Sequence, residues 1–107
     1  MRDATSDRKT LQLCKQVRQA IEALLAQSHW AIGLDVHVDA VTPAPDASTL
    51  QITLATREPE QVRVHALEAL PAMRATVAGA IARKRVPMLT LVVLGHDVHD
   101  EREESAR

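Results

Sequence analysis

In the middle of the chain the hydrophobic pattern changes period, and that change limits the possible folds more than any other feature. Leu34, Val36, Val38 and Ala40 alternate with Asp35, His37 and Asp39; further on, Leu50, Ile52 and Leu54 alternate with Gln51 and Thr53. A period of two marks a strand with one covered face and one wet face. Between them, Thr42-Pro43-Ala44-Pro45-Asp46-Ala47-Ser48 holds two prolines. Proline cannot donate to a ladder, so this segment reads as a turn or short loop. The two strands are then close enough to form an antiparallel hairpin. A lone hairpin is marginal in water, so a third strand must share the sheet. Residues 88–94, an almost unbroken apolar run, supply it, and such a run suits a strand covered on both faces.

The remaining stretches have helical period. Over residues 8–27, Cys14, Val17, Ile21, Leu24 and Leu25 share a stripe opposite Lys15, Arg18, Gln19 and Glu22. Cys14 on that stripe reads as a small core side chain. Pro59, flanked by Glu58 and Glu60, suits the first turn of a second helix through Val62, Ala66 and Ala69 or Leu70. Pro71 disfavours helical geometry at Leu70, so two helices are expected to meet at a kink there. The periodicity resumes at Met73, Val77, Ala80, Ile81 and Lys84 until Pro87 ends it. The expected order is α-β-β-α-kink-α-β, an α+β two-layer domain. It has a three-stranded mixed sheet with helices on one face, since the last strand arrives after a helical crossover. Residues 1–7 are expected to be a flexible N-terminus, residues 8–95 the domain, and residues 96–107 a charged, disordered tail.

The chain has 107 residues, enough for one domain, and one cysteine, too few for a disulfide. A polar N-terminus and a single thiol fit a reducing cytoplasm, and no apolar run nears the ~20 residues of a membrane span. Trp30 is the only aromatic residue. Modules that stack bases on exposed aromatic side chains are thereby excluded. The net charge of -1 hides strong segregation. Residues 1–27 carry five basic and three acidic groups, and residues 28–70 carry two and six. Residues 71–95 carry four basic groups and no acid, and residues 96–107 carry two and five. A neutral chain can therefore present a basic face, and binding follows the local field.

Three segments in this order resemble the ribosome-binding factor A family, which has a type II KH-like fold. They are Ile32-Gly33 before the first strand, Val38-Asp39-Ala40-Val41-Thr42-Pro43-Ala44-Pro45-Asp46, and Arg74-Ala75-Thr76-Val77-Ala78-Gly79-Ala80-Ile81-Ala82-Arg83-Lys84-Arg85-Val86-Pro87-Met88-Leu89-Thr90-Leu91. The resemblance implies a small cytoplasmic, non-enzymatic factor in ribosome biogenesis. Such a factor binds the immature small (30S) ribosomal subunit and assists late maturation and processing of 16S rRNA, including its 5′ end. In place of the KH domain's Gly-x-x-Gly loop the family has an Ala-x-Gly interhelix kink, matched here by Ala69-Leu70-Pro71. Proline in place of that glycine keeps a bend but removes an N–H and adds bulk. His29-Trp30-Ala31 and the absence of strand aromatics are further departures from the family pattern.

The candidate RNA-binding residues are Arg8, Lys9, Lys15 and Arg18 on the first helix and Arg74, Arg83, Lys84 and Arg85 on the last. On that helix Arg74 and Arg85 are expected to share a flank, three turns and about 16 Å apart, where they could grip phosphates across a groove. The ordinary alternatives are a solvated helix face and cations at a helix C-terminus. No metal site is expected: His96-Asp97-Val98-His99-Asp100 lies in the tail, where nothing fixes a coordination geometry. His37 is expected to face water or RNA. No cofactor is expected, and neither a glycine-rich phosphate loop nor a nucleophile with its base is present. The expected protein is a monomer whose acidic middle stays outward or meets a basic ribosomal protein, and a release factor is a further candidate partner. The rival reading is a KH-like protein-interaction module that has lost RNA binding.

Overall fold

The computed structural model describes residues 4–81 and 85–95, the first four as backbone only. Helix α1 spans Ala4–Ala26, a short α2 His29–Gly33 and α3 Pro59–Ala80; strands β1, β2 and β3 span His37–Pro43, Thr49–Thr56 and Met88–Gly95. The sheet order is β1-β2-β3, with β1 antiparallel and β3 parallel to the central β2. Both the α+β class and the mixed sheet thus follow the sequence reading. Leu50, Ile52 and Leu54 of β2 are fully buried with Val38 and Leu89 against Leu13, Val17 and Ile21 of α1 and Val62, Met73 and Val77 of α3. One sheet face therefore carries the core and the helices cover it. Cys14 is buried in the same cluster, and burial raises its thiol pKa above the ordinary value.

Local differences from the sequence reading have physical causes. α1 begins at Ala4, four residues before the expected start. β1 begins at His37, because Leu34 and Asp35 form the turn that closes α2. The N–H groups of Leu34, Asp35 and Val36 donate to the carbonyls of Trp30, Ile32 and Ala31. Asp35 takes φ 55 there, in the left-handed region. The register then shifts between Val38 and Ala40. This bulge at Asp39 sets Ala40 beside Thr53 and brings Val41, which packs against the core, beside Ile52. β3 lies at the sheet edge, so only Leu89 is buried, while Met88 and Leu94 are exposed. It is not covered on both faces.

The expected division into two helices meeting at a kink at Pro71 is also absent. α3 is one helix with Pro71 inside it. Proline leaves the carbonyl of Leu67 without its usual donor four residues on. Val62 and Ala66 before it, and Met73 and Val77 after it, are all buried in one core cluster, which holds both halves to a single element. The chain leaves the helix at Ile81, whose φ −114 and ψ 150 are extended. At the other end of this crossover, Gly95 lies against Pro59, where a Cβ would sit 3.2 Å from the proline ring.

Candidate nucleic-acid interface

The expected basic residues divide into three groups. Arg8 and Lys9 are exposed on the first half of α1 and line a shallow cleft with Gln12, Leu13 and Gln16. Beside it, a cleft of about 410 Å³ is lined by Thr10, the β1–β2 loop at Asp46 and Ser48, and the segment Arg85, Val86 and Pro87 before β3. The Met88 N–H donates to the Ser48 carbonyl at 2.9 Å, which fixes that segment to the loop. The segment that carries Arg85 therefore shares a cleft with Thr10, the residue that follows Arg8 and Lys9 on α1. Arg83 and Lys84 lie outside the described residues, as does the tail with its histidines.

The loop in this cleft is held by Asp46. Its carboxylate accepts from the Ser48 hydroxyl at 2.6 Å and the Ser48 N–H at 2.9 Å, and these two bonds lower its pKa. The anion is thus committed to the turn, in the manner of an Asx motif.

Arg18 has a different task. Its Nε donates to Glu22 at 3.1 Å and its terminal N–H to the Val38 carbonyl at 2.9 Å. The guanidinium ties α1 to the outer edge of β1 and is occupied by that work. Lys15, one turn earlier, is exposed beside Leu11.

Arg74 is exposed on α3, but Arg85 is not on that helix, which ends at Ala80. The supposed pair on one helical flank therefore does not exist. The residue that shares Arg74's flank is Arg63, three turns earlier and about 16 Å away along the axis. Arg63 lines a groove of about 320 Å³ with Ala66 and Leu67 of α3 and Leu91, Val92 and Val93 of β3. Sequence reading passed over Arg63 because it stands among the acidic residues 58–68; a helical projection centred on Val62, Ala66 and Met73 would have found it. Ala69 and Leu70 are half-buried and Pro71 is exposed on the same helix.

A central strand flanked by one antiparallel and one parallel neighbour, with a helix before the hairpin and a helical crossover after it, is a specific chain path. Among solved structures it is shared by ribosome-binding factor A from Thermus thermophilus, with a TM-score of 0.65 over 78% of this chain and 93% of that one. The chain has a ribosome-binding-factor-A-like fold. Identity is 23%, so the likeness is one of architecture. Comparison with family models and with curated protein sequences gives no match. The ribosome-binding-factor-A-like path explains why the basic residues gather as they do. The crossover from α3 returns the chain beside the β1–β2 loop, under the start of α1. Among the described residues, no helix is long and apolar enough to cross a membrane and no group of three or more metal-ligating side chains is found.

Proposed function

We propose that this protein is a cytoplasmic ribosome assembly factor that binds the immature small (30S) ribosomal subunit. It assists late maturation of 16S rRNA, including its 5′ end, and acts by holding an RNA conformation without covalent chemistry. The observation that carries this reading is that the cleft holding Arg85 is also lined by Thr10, the residue after Arg8 and Lys9 on α1, on the fold of a protein named for ribosome binding. Lys15 on the outer side of α1, and Arg63 and Arg74 on the flank of α3, extend the cationic surface. Arg83 and Lys84 add charge next to Arg85 in sequence. Phosphate contacts of this kind are largely blind to sequence and weaken steeply with salt.

Sedimentation of lysate through sucrose at low and high salt, with the protein followed by immunoblot, tests the reading. Co-migration with free small subunits at low salt, lost at high salt, is expected. Lys9→Glu with Arg85→Glu should abolish co-migration at low salt while leaving the melting temperature unchanged, since both side chains are exposed. Migration at the top of the gradient at both salts would favour the rival protein-interaction module. Pro71, where a glycine would allow a closer backbone approach, is the feature that speaks for that rival.

A further inference from the structure

At the other end of α1 from the basic cleft lies a groove of about 340 Å³ between α1, α2 and the start of β1. Leu25, Ala31, Val36 and Val38 form its apolar floor. Ile32, at 61% exposure, stands beside it as an apolar side chain with no cover. Glu22 and Asp35 line it, and among the described residues no lysine or arginine does. Glu22 shares one carboxylate oxygen with Arg18, and its side chain remains 47% exposed. Asp35 is exposed, and Asp39 is exposed further along β1. The surrounding residues 28–70 have four more acidic than basic groups.

An apolar trough with a carboxylate rim repels phosphate and suits one class of occupant. We propose that the groove docks a basic amphipathic segment of a protein partner. One or two of its aliphatic side chains rest on Leu25, Val36 and Ile32, and its lysines or arginines face Asp35 and Glu22. Helix-in-groove recognition combines these two features, with apolar anchors at i, i+3 and i+4 and charges on the flanks. The apolar contact supplies affinity, and the charges supply rate and orientation. Asp35 sits where the backbone favours glycine; asparagine tolerates the same conformation and removes only the charge. The proposal stands independently of the rRNA reading, because none of its residues belongs to the basic end.

The test uses the full chain and a fluorescein-labelled helical peptide of leucine and lysine, with leucine repeating at every third and fourth position. Amide resonances of Ile32, Asp35, Val36 and His37 should move on titration. Ile32→Ser should weaken binding about tenfold, as loss of an anchor does. Asp35→Asn should weaken it several-fold and flatten its salt dependence, with circular dichroism showing both variants folded. The same peptide with glutamate for lysine should not bind. Unchanged affinity in both variants would overturn the proposal, as would resonance shifts spread over Glu58, Glu60 and Glu68. Concentration-dependent self-association through this groove, with Leu11 and the basic start of α1 of a second copy as occupant, would overturn it too. Lys9→Glu with Arg85→Glu should leave peptide binding intact, so failure here and failure of the rRNA reading are distinguishable.

Discussion

Thr56, at the end of β2, is fully buried and uses its hydroxyl twice: it donates to the Leu34 carbonyl at 2.8 Å and accepts from the Glu58 N–H at 3.0 Å. The first bond ties the turn after α2 to the central strand. The second satisfies a backbone donor ahead of α3, where Glu58 makes no side-chain cap of its own. Valine has nearly the same shape and no hydroxyl, so Thr56→Val takes the side-chain partner from two part-buried backbone groups. A loss of about 1–3 kcal/mol is expected, read by urea denaturation. A loss below about 0.5 kcal/mol would mean that water replaces both bonds. Nothing in the sequence singles out Thr56, because a threonine in a strand is common and its partners lie 22 and two residues away. Arg18 was hidden in the same way: sequence shows a cation on a wet face, and only the fold brings the Val38 carbonyl to it.

The elements that carry a long periodic signal were legible, and those that depend on a single residue were not. α1, the hairpin and the parallel return of β3 follow from apolar spacing and crossover length. The short α2 has too few residues to display a helical period. The bulge at Asp39 adds one residue without a change of composition, so the alternation looks regular through it. Pro71 misled in the opposite direction. Its local preference says break, and burial on both sides overrides it. Because one helix continues through it, Pro71→Ala should restore the missing donor to the Leu67 carbonyl and raise stability by up to about 3 kcal/mol. Thermal unfolding checks this. A drop in melting temperature would show that the fold needs a bend at this point, as the expected kink between two helices required.

At the scale of the whole molecule, the charges are separated along α1. Its first half, with Arg85 opposite, is basic; its second half borders Asp35 and Glu22. The distance from Thr10 to Leu25 along the helix is about 22 Å at 1.5 Å per residue, more than two Debye lengths at physiological salt. The two ends therefore act on partners independently. The cations proposed to meet phosphate, Lys9 and Arg85, are exposed, whereas Arg18 is bonded to Glu22 and the Val38 carbonyl. Removing Lys9 and Arg85 together, as alanines, should lower the slope of log affinity against log salt for small-subunit RNA by about 2, one for each phosphate no longer neutralised, with stability unchanged. Arg18→Ala should do the reverse. It should cost about 1–2 kcal/mol through loss of the Val38 bond and a partly exposed ion pair, while the salt slope stays at its original value. Filter binding across a salt series and urea denaturation on the same preparations separate the two effects. If Arg18→Ala lowers the slope as much as either exposed cation does, its guanidinium leaves Glu22 and Val38 to meet phosphate, and the basic surface extends along α1 past its midpoint.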